Sequence, residues 1–259
     1  MAKSLAEKVL KAEHWRYLSW SRLRFGLVRA LLGYAGILGG TELARAKNKT
    51  VGKPLFVRPG TIDQRVYDEV FVDKEYVLEL GDPEFILDAG AHIGMSSVYF
   101  ASRYPNATVV AVEPDVENFK VLSRNAAKWP NIKPINAGLW RHKARLKVDD
   151  PSVESWGITV SETDTDNGLE GLGVADIMNL FGVQQIDVLK LDVEGSEIEV
   201  LGNSAGWMAS VKTLVVELHD RMRPGCSAAL QTALEKFGYD ESVSGEKMVF
   251  KNLQQQVTA

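Results

Sequence analysis

Two short runs carry the groups best able to do chemistry. Val188-Leu189-Lys190-Leu191-Asp192-Val193-Glu194-Gly195-Ser196-Glu197 and Leu214-Val215-Val216-Glu217-Leu218-His219-Asp220 both begin apolar and end polar. An apolar run closing on acids reads as a buried parallel strand whose tip reaches a ligand. Polar and apolar residues alternate at both tips, so Asp192 and Glu194, and likewise Glu217 and His219, can share a face. A carboxylate or imidazole in that position can accept a proton from a bound substrate. Asp192 could do so directly or through a bound cation; His219, with an unperturbed pKa near ~6.5, is the rival base. Asp192, Glu217 and His219 could also hold a magnesium-type ion, with water completing its shell, or simply form a hydrogen-bonded network lining a cleft.

A third run supplies a cradle. Phe85-Ile86-Leu87-Asp88-Ala89-Gly90-Ala91-His92-Ile93-Gly94 is an apolar strand ending in an acid, then two glycines ahead of a helical stretch, Met95 to Arg103. Glycines let backbone approach a ligand, and a helix start offers free N–H groups. Thr108-Val109-Val110-Ala111-Val112-Glu113 is a second such strand, with Glu113 nineteen residues beyond Gly94. An acid at the next strand tip is where a ribose diol is gripped, although an acid before Pro114 also suits a helix start. A third tip reads Asn136-Ala137-Gly138. Lesser candidates have plain alternatives. Lys190 is an ion-pair or phosphate-type contact, Glu194 a substrate contact or helix-start acid, Trp156 a substrate platform or loop anchor, and His92 a ligand-facing ring or a cap of the turn.

Positioning these tips requires strands that alternate with helices. Strands are expected to end near Asp88, Glu113, Ala137, Asp192 and Glu217, with helices at 95–103, 115–129, 196–204 and 226–237. Between the third and fourth strands, 145–148 reads as an added strand, 161–168 as a mobile polar loop and 174–181 as a helix. Residues 239–242 and 247–251 form a hairpin that adds an antiparallel edge strand. This order implies an α/β fold with a doubly wound, mostly parallel sheet. Upstream, Pro54 to Arg58 suggests a strand and Ile62 to Val70 a helix capped by Thr61 or Asp63. The domain plan is then an N-terminal helical extension over 1–50, a lead-in segment over 51–83, and the main domain over 84–252.

The 259 residues carry a net charge of −4, which gives no basic surplus for nucleic acid. One cysteine, Cys226, excludes an internal disulfide and a cysteine-only metal cage, and fits a reducing cytoplasm as a structural thiol. No uncharged stretch spans a bilayer. Residues 14–40 mix aromatic and leucine residues with arginines at helical spacing, which suits either a membrane surface or a helix packed on the main domain or on a second copy in a homo-oligomer.

Ile86 to Gly94, Glu113-Pro114, Leu189 to Glu197 and Val216 to His219 resemble the FkbM family of S-adenosylmethionine-dependent methyltransferases. Val57-Arg58-Pro59-Gly60-Thr61, Asp63, Phe71-Val72, Glu75-Tyr76 and Trp156-Gly157 add to the likeness, which covers roughly 55–252. The resemblance implies a seven-stranded, Rossmann-like class I methyltransferase sheet and methyl transfer to an oxygen of a sugar, glycoside or other natural-product acceptor. It implies that Asp88, Gly90 and Gly94 lie against the methionine part of the cofactor, with Ala91 and His92 of the same turn in the cofactor site. Glu113 with Pro114 would meet the ribose, and Asn136, Ala137 and Asp192 would complete the cofactor site. Asp192, His219 and Glu217 would then serve catalysis, and Glu194, Trp156 and Lys190 the acceptor. His92 stands where the wider superfamily has the middle glycine of its turn, which leaves the turn's path open. Two other readings fit a glycine turn followed by an acid: a nicotinamide-dependent oxidoreductase, and a scaffold with a decayed pocket.

Overall fold

A computed structural model describes residues 44–46, 48–58, 61–148, 160–166 and 168–256. The chain divides into two compact units, Met1–Val72 and Asp73–Ala259, so the boundary falls inside the expected lead-in segment. In the first unit β1 (Ala44–Ala46) pairs antiparallel with β2 (Leu55–Val57), and α1 spans Asp63–Phe71. Asp63 does not cap α1 as expected. Its carboxylate is fully buried and accepts from the Arg58 backbone N–H (2.8 Å), Nε (2.9 Å) and Nη2 (2.7 Å). Thr61 takes the cap-like role, its Oγ1 accepting from the Asp63 N–H at 3.2 Å.

The second unit is built on a seven-stranded sheet. Its strands are β3 (Phe85–Ala89), β4 (Thr108–Val112), β5 (Ile132–Ile135), β10 (Ile186–Leu191), β11 (Val211–Val216), β12 (Phe237–Ser244) and β13 (Lys247–Gln255), in the order β12-β13-β11-β10-β3-β4-β5. β3, β4, β5, β10 and β11 run parallel. β13 is antiparallel to both of its neighbours, so it lies one strand in and β12 forms the edge. The expected antiparallel edge strand is therefore inserted between β11 and β12.

The helices α2 (Met95–Arg103), α3 (Val116–Ala126), α4 (Val174–Phe181), α5 (Glu197–Gly202) and α6 (Cys226–Leu234) start within a residue of expectation; α3, α5 and α6 end earlier. α6 stops at Leu234 because Phe237 already belongs to β12. On one face of the sheet Leu87, Val110, Leu189 and Leu214 join Ile177 of α4, Leu201 of α5 and Leu230 of α6 in one apolar cluster. On the other face Asp88 meets α2 through Ser96 and Ser97. Helices thus cover both faces, as parallel strands require.

A second sheet was not anticipated beyond its one strand at 145–148. β6 (Gly138–Leu139), β7 (Ala144–Val148), β8 (Val160–Glu162) and β9 (Leu169–Leu172) form it in the order β6-β9-β7-β8. Ser161 and Glu162, expected in a mobile loop, are strand residues. Glu162 is held by Trp140 Nε1 (2.7 Å) and Arg141 Nε (2.9 Å).

Asp63→Ala strands a buried guanidinium and should destabilise the first unit by about 3–5 kcal/mol. Urea unfolding of the variant beside the parent checks this, and a loss under about 1 kcal/mol would rule out a structural role for the pair.

Candidate active site

The strand order reverses between β3 and β10, and ligands of open α/β sheets bind beyond the carboxyl ends at such a point. The turn after β3 is shaped by three left-handed residues: Gly90 (φ 73°), His92 (φ 50°) and Gly94 (φ 82°). A Cβ on Gly90 would lie 1.7 Å from the Asp192 carbonyl oxygen, so glycine is obligatory there. His92 occupies the region where histidine is enriched among non-glycine residues. Its N–H donates to Glu113 Oε2 at 2.8 Å, tying the turn to the tip of β4.

Beneath the turn lies a buried cation. Lys190 is 3% exposed and pairs in register with Asp88 across β10 and β3. Its Nζ donates to the carbonyls of Gly90 (2.7 Å) and Ala89 (3.3 Å) and sits 3.4 Å from Asp88 Oδ1 and 3.3 Å from Asp192 Oδ2. Burial opposes its charge, but Asp192 and then Asp88 outweigh that and raise the Lys190 pKa. Asp88 is 0% exposed, and its Oδ2 accepts from Ser96 and Ser97. Two expectations change here. Lys190 faces inward with its donors committed, which removes it from acceptor binding. Asp88 braces the turn from below, enclosed where a cofactor cannot touch it.

At the second tip Glu113 is buried, accepting from His92 N–H, Asp115 N–H (3.0 Å) and Asn118 Nδ2 (3.3 Å). Burial pushes its carboxyl up to about 7 against those three donors. A carboxylate has about four acceptor positions, which leaves one for a ligand hydroxyl. Asn136 is spent on the backbone, its Nδ2 reaching the Glu113 and Pro114 carbonyls at 2.8 and 3.1 Å. Ala91 and Ala137 are buried, Pro114 half-buried.

The remaining tips meet at His219, which is 2% exposed. Its Nδ1 lies 2.9 Å from Glu197 Oε1; its Nε2 faces Glu194 Oε2 (3.3 Å), Glu217 Oε1 (3.6 Å) and Asp192 Oδ1 (3.8 Å). Burial works against the charged ring, but the Glu197 bond and the charges of Glu194, Glu197 and Asp192 lift it to about 9. Burial, reinforced by Asp192, Glu217 and Glu197, pushes Glu194 up to about 8 despite His219. Asp192 goes the other way: burial would raise it, yet Lys190, Lys247 and His219 hold it below the usual range. Lys247, from β13, binds Glu217 Oε2 (3.0 Å) and Glu75 Oε2 (2.7 Å).

The expected metal set is altered by this geometry. Glu217 turns an oxygen to Lys247, and the ligand atoms that converge within 4.8 Å are those of Asp192, Glu194 and His219. Magnesium prefers an all-oxygen octahedron. An imidazole ringed by carboxylates, with Lys190 and Lys247 already neutralising Asp192 and Glu217, is a poor match.

The sequence reading missed Glu197, Lys247, Glu75 and Tyr76 as parts of this site. Glu197 is fully buried. Tyr76 is buried with Asp192, Asp88, Glu217 and Glu75 around its phenol. Its place beside Glu75 in the resemblance was the available signal. For Lys247 there was none, since β13 comes from the far end of the chain. Cys226 is structural as expected, its thiol donating to Glu197 Oε2 (3.3 Å) and pushed by burial up to about 12. Trp156 and residues 14–40 lie outside the described residues. No helix of the described residues is long and apolar enough to cross a membrane.

The sequence profile described as the methyltransferase FkbM domain matches residues 88–240. The chain belongs to the FkbM methyltransferase family. It is 30% identical over 205 residues to Methyltransferase 1 of Beauveria bassiana, covering 69% of this chain and 81% of that one. The hexuronic acid methyltransferase AglP of Haloferax volcanii is 23% identical over 245 residues, covering 92% and 95%. The 31-O-demethyl-FK506 methyltransferase FkbM of Streptomyces tacrolimicus is 26% identical over 195 residues, covering 61% and 75%. The protein is therefore a methyltransferase with S-adenosylmethionine as donor, and the nicotinamide and scaffold readings fall away. The turn fits the donor in one respect: the Glu113 carboxylate stands beside it, bonded to the His92 N–H.

Gly90→Ala drives a methyl into the Asp192 carbonyl. Titration calorimetry with S-adenosylhomocysteine should show binding lost or weakened at least about a hundredfold, roughly 2.7 kcal/mol; near-parental affinity would mean the turn does not carry the donor.

Proposed function

We propose that this methyltransferase transfers its methyl group to a hydroxyl of a sugar, glycoside or other natural product, and that His219 takes the hydroxyl proton. The acceptor class is supported by relatives that act on a hexuronic acid and on a demethylated FK506. The base is supported by one observation: Nε2 of a buried imidazole faces the carboxylates of Glu194, Glu217 and Asp192 at the strand tips, while Nδ1 is held by Glu197. Asp192 is the weaker candidate, because Lys190 and Lys247 stabilise its ionised form and so reduce its basicity.

The donor supplies a methyl on a sulfonium, and the thioether that leaves is neutral, so no acid is needed for departure. The acceptor oxygen forms its bond to the methyl carbon as the carbon–sulfur bond breaks, and the hydroxyl proton passes to His219 Nε2. The protein's work is otherwise positioning. The turn over Gly90, Ala91, His92 and Gly94 holds the amino-acid end, and Glu113 with Pro114 meets the ribose through the one acceptor position left. Glu194, beside His219, meets the acceptor.

At neutral pH His219, held up near 9, is protonated in the resting protein. A sulfonium entering the same crevice repels that charge and favours the neutral base. The kcat/KM profile, which reports the free enzyme, should therefore rise about tenfold per pH unit toward a limb near 9, and the kcat limb should lie lower. A limb near pH 4–5 would assign the base to a carboxylate instead. His219→Ala should slow kcat by about 10²–10⁴-fold with donor affinity retained.

Glu113, pushed up to about 7, is half-protonated in the free protein near that pH, and a ribose hydroxyl donates best to the ionised form. Affinity for S-adenosylhomocysteine should rise from pH 5.5 to 8, and Glu113→Ala should weaken it by about 1–3 kcal/mol and flatten the trend. Unchanged affinity in the variant would remove Glu113 from the donor site. Turnover should survive EDTA; loss restored by added magnesium would return the ion to the mechanism.

A further inference from the structure

Resting on the reading of His219 as base, we propose that Glu197 is its positioning residue: it fixes the proton of the neutral ring on Nδ1, so that Nε2 is the lone pair presented to the acceptor hydroxyl. Which ring nitrogen is protonated follows from the bond the other one makes. Glu197 opens α5 and is 0% exposed. Its Oε1 lies 2.9 Å from Nδ1 and accepts the Val193 N–H at 3.1 Å, and its Oε2 accepts the Cys226 thiol at 3.3 Å. A carboxylate gripped from three directions cannot swing away, and the ring it holds is fixed in turn.

The competing arrangement would put the proton on Nε2, where three carboxylates also wait. Distances and partners decide against it. Glu194, Glu217 and Asp192 stand 3.3–3.8 Å from Nε2. Two of them are shared with lysines, Glu217 with Lys247 and Asp192 with Lys190. Glu197 is closer, and among the described residues its one ion-pair partner is His219. A buried carboxylate with a single cationic partner is costly unless that partner is the reason for it.

Nitrogen NMR of the ring in labelled parent protein, above its titration, tests this without a variant. Nδ1 should carry the proton and Nε2 should be bare; the opposite tautomer overturns the proposal. Glu197→Gln removes the charge that favours the imidazolium. Its kcat/KM limb should move to lower pH, and kcat should fall about tenfold or more while acceptor KM and donor affinity hold. Glu197→Asp should restore part of the limb's position. A residue that merely props the fold would lower the melting temperature and leave both limb and tautomer where they were, which also overturns the proposal. His219→Ala separates the two readings. If it keeps full turnover, the base assignment itself fails; if it loses turnover while Glu197→Gln leaves the limb unmoved, only the positioning role fails.

Discussion

A single buried ammonium holds the two central strand tips in register. Lys190 lies where the strand order reverses and is almost wholly buried, so protein groups must offset the hydration its charge loses. They are the carbonyls of Ala89 and Gly90 and the carboxylates of Asp88 and Asp192. Those four groups belong to both walls of the crevice, three on β3 and its turn, one at the end of β10. The glycine turn is therefore not a free loop resting on a helix. It is clamped to the strand that delivers Asp192, and the close approach of Gly90 to the Asp192 carbonyl is the steric side of the same clamp. Breaking a buried pair of this kind strands a charge, a far larger penalty than the modest net gain of making it.

The clamp also sets the electrostatics above it. Lys190, Lys247 and His219 are the cations; Asp88, Glu75, Asp192, Glu194, Glu197 and Glu217 are the carboxyl groups around them. The balance is negative even with Glu194 pushed toward its neutral form. A sulfonium is a cation, so an acidic crevice raises its local concentration and favours its binding over that of the neutral thioether product. The same acidic surroundings lift His219 to about 9 against the cost of its burial.

The tips were legible in the sequence because each is an apolar run closing on an acid, and hydrophobic pattern is the strongest local signal a chain carries. The ends of β3, β4, β10 and β11 and the starts of α2, α3, α5 and α6 follow from it. What could not be read was anything set by register between distant segments. Lys247 reaches Glu217 because β13 slots between β11 and β12, a choice that the hairpin's own residues do not announce. Asp88 and Lys190 each looked like ligand groups, and only their pairing across β3 and β10 shows that they face each other. The four-stranded sheet hid for a different reason: β6, β8 and β9 have two to four residues each, too short for a period to emerge. Glu197 could not be singled out because burial, which distinguishes it, is a property of the folded chain.

Two non-glycine residues in left-handed backbone flank the crevice, His92 at φ 50° and Glu194 at φ 52°. Such residues cost of order 1–3 kcal/mol each and persist where the surroundings over-determine them. Glycine at either place would relieve the strain, and Gly94 and Gly195 lie close by, so the side chains are kept against a local preference. At His92 the compensation is its N–H bond to Glu113, which any residue could make. At Glu194 it is the carboxylate itself, 3.3 Å from His219 Nε2 and enclosed enough to be pushed up to about 8. The turn Val193 to Ser196 is closed by its own N–H to carbonyl bond and by the Val193 N–H to Glu197. The strain at Glu194 is thus held by the same carboxylate that holds His219, which links the geometry of the two side chains.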